Sequence, residues 1–164
     1  MQVIVLKRYA KILSLTVGLL GAAGPAIAQS APGQGVMGWW LDQTGKAGIF
    51  ISQCGTNVCG KIEWLRKPLN KDGKPVLDIH NENPALRSRE VCDLTMLGGF
   101  TPDGTQSWGG GWIYDPAGGK TYRSEMHIAD DGALHVRGYV GIPLFGRSEI
   151  WTRPTTKLTP CVAG

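Results

Sequence analysis

From Lys120 to Val140 the side chains sort onto two faces with period two, and this constrains the fold more than any other feature. Tyr122, Ser124, Met126 and Ile128 fall on one face and Thr121, Arg123, Glu125 and His127 on the other. In the next run Leu134, Val136 and Val140 alternate with His135, Arg137 and Tyr139. Alternation over this length is the signature of half-buried strands. Asp130-Asp131-Gly132 between the runs has the chemistry of a three-residue hairpin loop with Gly in the left-handed position. With Ala129 opposite Ala133, Met126 faces Val136, Glu125 faces Arg137 and Arg123 faces Tyr139. The apolar residues then share one face and opposite charges meet on the other. The stretch from Trp108 to Arg153 therefore reads as an antiparallel meander of four strands.

The front of the chain is different. Lys7, Arg8 and Lys11 precede an apolar run from Ile12 to Ile27, and Ala26-Ile27-Ala28 has the small-x-small form of a cleavage site. This predicts a secretory signal peptide over residues 1–28, with a mature chain starting at Gln29. The competing reading, a membrane anchor, meets a run broken by Ser14, Thr16, three glycines and Pro25. No Cys follows the site to carry a lipid. Three of the 17 basic residues lie in this leader, so the remainder nearly balances the 13 acidic ones. The apparent basicity is a targeting signal, and no basic stripe suggests nucleic acid. Residues 29–164 suit one domain with a real core. The expected location is the periplasm or the exterior, with no membrane span after the leader is removed.

Four cysteines in an exported chain are read first as disulfides. Cys54 and Cys59 flank Gly-Thr-Asn-Val between two strand-like runs, Ala47–Gln53 and Val58–Leu65, so a hairpin sets them opposite each other. Cys92 and Cys161 form the second pair by elimination. Metal or redox chemistry is the alternative. The four-residue gap differs from the two-residue redox motif, and His80, His127 and His135 show no ligand spacing with any Cys. No metal and no cofactor is expected.

In chain order, Val36–Leu41 is a first strand, and Ile49 and Ile51 alternate in the second. In the third, Ile62 and Trp64 share a face. Arg66 to Asp93 breaks the pattern, with Pro68, Pro75 and Pro84 in a segment too long for an ordinary connection. Within it Asn83-Pro84 reads as a helix cap and first position, opening a short turn through Ala85, Leu86 and Arg87. Strands resume at Leu94–Phe100 and Trp108–Tyr114. The sum is about eight strands and one short helix, an all-β chain. Eight antiparallel strands in one small domain predict an up-and-down barrel, since closure removes exposed edges. Such a barrel is filled by side chains or holds one small ligand.

Gly38-Trp39-Trp40, Cys54 to Gly60, the Asp78–Asn81, Asn83-Pro84, Leu86-Arg87 and Arg89 series, Gly110 to Tyr122, and Arg137-Gly138-Tyr139 through Trp151-Thr152-Arg153 together resemble a secreted bacterial family, domain of unknown function 2147. The resemblance spans nearly all of residues 29–164. It implies a lipocalin-like, calycin-type barrel and brings no established activity with it. It also maps a barrel-closing pair onto Trp40 and Arg153. A guanidinium stacked on an indole, with its N–H groups on first-strand carbonyls, would staple the last strand to the first. That role is structural.

Two groups are candidates for ligand binding. Asp78, Asn81, Asn83, Arg87 and Arg89 concentrate charge and amides in one loop, which would form a lid at a barrel mouth, with Arg87 or Arg89 meeting a carboxylate or phosphate bidentately. The structural alternative has Asp78 and Asn81 capping turns and the arginines pairing with Asp78 or Glu90. Trp108, Trp112 and Tyr114, placed on one strand face with Tyr122 near Tyr114 and Ser124 near Trp112, would line a cavity; the alternative is a packed aromatic core. Arg137-x-Tyr139 has the pattern of a carboxylate-binding pair, but the register turns both outward, where Arg137 would pair with Glu125. For catalysis there is no nucleophile elbow, phosphate loop or metal spacing, and Asp115 with His127 or Asp78 with His80 are isolated pairs. The sequence thus favours a barrel that binds a small, largely apolar molecule and is not an enzyme. The rival is a filled barrel acting as an envelope protein-interaction module.

Overall fold

Eight antiparallel strands follow one another around one curled sheet in a computed structural model that describes residues 35–161. They are β1 (Gly38–Leu41), β2 (Ala47–Cys54), β3 (Asn57–Leu65), β4 (Leu94–Pro102), β5 (Ser107–Asp115), β6 (Lys120–Ile128), β7 (Leu134–Tyr139) and β8 (Gly146–Trp151). Two single 3-10 turns, Pro84–Leu86 and Pro143–Phe145, supplement them. The first is capped by Asn83, whose side chain accepts from the Ala85 amide, as the Asn-Pro pair predicts. The second was not anticipated. The leader and its cleavage site lie outside the described residues.

The meander has the register that its alternation dictates. Met126 pairs with Val136, Glu125 with Arg137 and Arg123 with Tyr139, and the Ala129 amide donates to the Ala133 carbonyl at 2.9 Å. Arg137 does not turn to Glu125. Its guanidinium donates to the Ser148 hydroxyl and to the carbonyls of Pro143 and Leu144, which lie closer along its own hairpin.

Two bulges shift the faces away from simple alternation. Ile62 pairs with Ile49 but Trp64 pairs with Gly48, so Glu63 is the extra residue and Trp64 falls on the face opposite Ile62. Trp64 packs there with Leu158 over Gly48. On β5, Trp108 pairs with Met126 while Gly111 pairs with Ser124, again one residue too many on one side. Gly110 absorbs the bulge at φ 71°, a conformation side chains rarely adopt.

The sheet curls until Leu41 meets Thr152, which exchange backbone hydrogen bonds of 2.8 and 3.1 Å. This one bridge is reinforced from outside the ladder. The Arg153 guanidinium lies 3.7 Å from the Trp40 ring centroid and donates to the carbonyls of Gly35, Met37 and Trp39. The Trp40 Nε1 donates to the Val36 carbonyl at 2.7 Å, so the indole is fixed on its buried side as well. Inside, Ile49, Ile51, Leu97, Phe100, Leu134 and Trp151 form the centre of one apolar cluster. Both disulfides are formed, Cys54–Cys59 and Cys92–Cys161. The second ties the long β3–β4 connection to the chain's C-terminal tail, where the Cys161 amide also donates to the Glu63 carbonyl.

Candidate functional site

The interior is packed at one end of the barrel and open at the other. Inner-face residues can be read from the register. Leu134 and Val136 are buried, so their partners Trp151 and Glu149 face inward, and Arg147 opposite Gly138 does the same one step nearer the rim. Ile113 on β5 pairs with Tyr122 on β6 on that same face. Val136, Glu149, Arg147, Ile113 and Tyr122, with Met96, line a cavity of about 250 Å³ at the barrel mouth, while Leu134 and Trp151 belong to the packed end. Val140 and Phe145 of the β7–β8 connection border its opening.

The chemistry of this cavity is uneven. Apolar side chains and tyrosines share its walls with Asp115 at the end of β5 and two charges contributed by β8. Glu149 is held by the Trp151 Nε1, which donates to it at 2.9 Å. The Arg147 guanidinium makes no hydrogen bond or ion pair with any of the described residues. A cation on a cavity wall with free donors is suited to an acceptor or anionic group on an incoming molecule. Sequence reasoning overlooked Arg147 and Glu149. The signal was available: once Trp151 is assigned to the core, period two turns Glu149 and Arg147 to the same side.

The candidates named from sequence are divided between several places. Tyr122 and Tyr114 border the cavity. Trp108 lies on the inner face but within the packed cluster, with its Nε1 unpartnered among the described residues. Ser124 is fully buried and donates to the Arg137 carbonyl at 2.9 Å. Trp112 lies on the outer face, with its indole against Gly98, because the bulge between Trp108 and Gly111 reverses the alternation. Hence Trp108 does not share a face with Trp112 and Tyr114. Tyr122 pairs with Ile113 rather than Tyr114, and Ser124 with Gly111 rather than Trp112.

The long β3–β4 connection is fixed to the barrel beside this mouth by a buried polar network. Asp78 is 1% exposed, and every group that meets its carboxylate is a donor. Arg89 approaches one oxygen through Nε and a terminal nitrogen, both at 2.8 Å, and the Asn81 amide reaches the same oxygen at 2.8 Å. The Tyr114 hydroxyl donates to the other oxygen at 2.6 Å and accepts from the Asn81 amide at 2.8 Å. Arg87 donates to the Asn81 carbonyl, and the Asn81 side-chain oxygen accepts from the Asn83 amide. The pairing of Arg89 with Asp78 is the structural alternative weighed above. A second close approach locks the same segment. Gly119 has φ 71°, and a Cβ on it would sit 1.8 Å from the His80 carbonyl oxygen. Between this segment and the outer face of β4–β6 runs a shallow groove of about 400 Å³, bordered by Arg89, Trp112, Tyr114 and Thr121.

Burial, and after it the hydrogen bond to the Asp78 carboxylate, raise the Tyr114 phenol above its ordinary value. A phenol whose value is raised on folding stabilises the protein fully below its unfolded value near pH ~10 and loses that contribution as pH climbs through the folded one. Stability to urea should therefore fall more steeply above pH ~10 in the wild type than in Tyr114→Phe, which lacks the phenol at that position. Parallel pH curves for the two proteins would refute the assignment.

Among the described residues no group of three or more His, Cys, Asp or Glu could hold a metal ion, and no helix is long and apolar enough to cross a membrane.

A meander of eight antiparallel strands with a cavity at one end defines the lipocalin-like class of β-barrels. Protein HP1028 from the human pathogen Helicobacter pylori, described as belonging to the lipocalin family, superposes with a TM-score of 0.61 at 20% identity, over 73% of this chain and 82% of that one. At that identity the likeness is one of fold. Residues 38–153 match the family described as "Uncharacterized protein conserved in bacteria (DUF2147)", and the chain belongs to that family. No curated protein matches the chain significantly.

Proposed function

We propose that the protein is an exported barrel that binds a small, largely apolar molecule in the mouth cavity, with its polar end on Arg147. The observation that carries this reading is a cavity of about 250 Å³ at the barrel mouth, part apolar, with an unpaired guanidinium on its wall. A filled barrel serving only as an interaction module would have no reason to leave that space. The volume lies just below the roughly 300–1,000 Å³ usual for drug-sized ligands. It therefore suits a compact molecule, or one end of a longer chain whose remainder passes between Val140 and Phe145. In this reading the Asp78–Arg89 segment is a fixed wall beside the mouth, since its polar groups are already engaged with one another. The two disulfides and the leader read from residues 1–28 support export, and binding without catalysis is the role that the site's residues suit.

Native mass spectrometry of the disulfide-bonded protein, gently isolated from the cells that make it, tests this. A bound mass lost on denaturation is expected. It should be absent from Tyr122→Ala, bound about tenfold more weakly by Arg147→Gln, as loss of a charge-assisted hydrogen bond implies, and retained by Trp112→Ala, whose indole lies outside the barrel. An apo mass throughout, with no uptake from a lipid extract, would overturn the reading.

A further inference from the structure

We propose that the β7–β8 connection, residues 140–145, is a membrane-docking tip that sets the barrel mouth against an anionic phospholipid surface. Four large apolar side chains in six residues are turned to solvent here: Val140 is 70% exposed, Ile142 53%, Leu144 76% and Phe145 76%. Scattered exposed hydrophobics need no explanation, but this cluster occupies one hairpin tip.

Three further features point to lipid as the partner. First, the backbone of the Pro143–Phe145 turn at the tip is partly provided with partners from within. Pro143 has no N–H to satisfy, the Phe145 amide donates to the Ile142 carbonyl, and the Gly146 amide to that of Pro143. Arg137 reaches along the hairpin to the carbonyls of Pro143 and Leu144. A segment entering an apolar phase must satisfy its polar backbone internally, whereas a loop in water has no such need. Second, the charges adjoining the tip in sequence are basic, although Asp115 and Glu149 line the cavity it borders. Residues 132–148 contain no Asp or Glu, and the charged side chains flanking the tip are Arg137 and Arg147. Glu125 stands opposite Arg137 in the ladder, and Glu149 is engaged by Trp151. Apolar side chains with arginines behind them suit the boundary between acyl chains and anionic headgroups. Third, Val140 and Phe145 belong both to the exposed tip and to the cavity opening, so a docked tip would place that opening at the lipid surface.

The test is co-sedimentation of the purified, disulfide-bonded protein with vesicles of phosphatidylethanolamine and phosphatidylglycerol, and with vesicles of phosphatidylcholine alone. Binding to the anionic vesicles is expected to be stronger and to weaken with salt. The double variant Ile142→Ser/Leu144→Asp should bind them at least about tenfold more weakly, since two apolar side chains leave the lipid. Neither residue lines the cavity, so uptake of the uncharged fluorophore N-phenylnaphthylamine in solution should be unchanged in that variant. That second readout separates this inference from the proposal for the cavity, which can fail or hold independently. Absence of vesicle binding by the wild type, or equal binding by the double variant, would overturn the inference. So would a dimer abolished by the same substitutions without any vesicle binding, which would assign the tip to a second copy of the chain.

Discussion

Replacing Asp78 with Ala is expected to destabilise the fold by about 3 kcal/mol, the low end for breaking a buried ion pair because Arg89 keeps partial contact with water. The substitution would leave the Tyr114 hydroxyl without its acceptor and the Asn81 amide with one fewer. Asp78→Asn is the more telling variant. All four contacts to the carboxylate come from donors, so one face of an amide would set its own N–H groups against another donor. A carboxamide of the same shape should therefore recover little of the loss. Urea denaturation of the two variants measures both effects. An Asp78→Asn protein within about 0.5 kcal/mol of the wild type, the scatter of ordinary surface substitutions, would mean that the network is not the anchor of the β3–β4 connection. The same variants bear on function. If the segment is a wall, ligand uptake should survive in whatever fraction remains folded.

The second large effect concerns the disulfides, which should contribute unequally. Cys92 and Cys161 are 69 residues apart in sequence and Cys54 and Cys59 only 5. On chain-entropy grounds, removing the first bridge by Cys92→Ser/Cys161→Ser should cost about 4 kcal/mol, and removing the second about 2 kcal/mol. The longer bridge also holds the tail that carries Leu158, which is buried and packs over Gly48. Its loss should therefore expose the outer apolar face around Trp64 as well as enlarge the unfolded ensemble. Chemical denaturation of each paired variant, compared with the oxidised protein, gives the two costs directly. Equal costs would show that the bridges act through local geometry rather than loop closure. A protein that depends this strongly on the long bridge would fold poorly in a reducing compartment, consistent with the proposed export.

The parts of this fold that could be read from sequence are those governed by near neighbours. The β6–β7 register follows from alternation and one Asp-Asp-Gly turn, because a slip of one residue would turn every apolar side chain outward. The Cys54–Cys59 bridge follows from a hairpin a few residues long, and the Asn83 cap from a dipeptide. What the sequence could not carry was the phase of alternation across a bulge. Whether Trp112 joins Trp108 inside or lies outside against Gly98 depends on one extra residue in β5. That residue is tolerated because Gly110 adopts a positive φ and Gly111 leaves room for the Phe100 ring contributed by β4. The same dependence on a facing strand separated Trp64 from Ile62.

The candidate site follows the same division. Its aromatic residues and its long polar segment were recognisable as composition, but composition does not state which groups are already engaged. Asp78 and Arg89 meet across eleven residues and Tyr114 joins them from a distant strand, so only the assembled structure shows that these groups satisfy one another. Arg147 was passed over for the opposite reason. It stands in a short strand whose inward face is defined by Leu134 and Val136 on its neighbour. By itself the sequence determined the class of fold and the local pairing, because backbone periodicity and turn chemistry act over a few residues. The tertiary structure alone decided which charges are spent and which remain free at the mouth, because that depends on contacts between strands far apart in the chain.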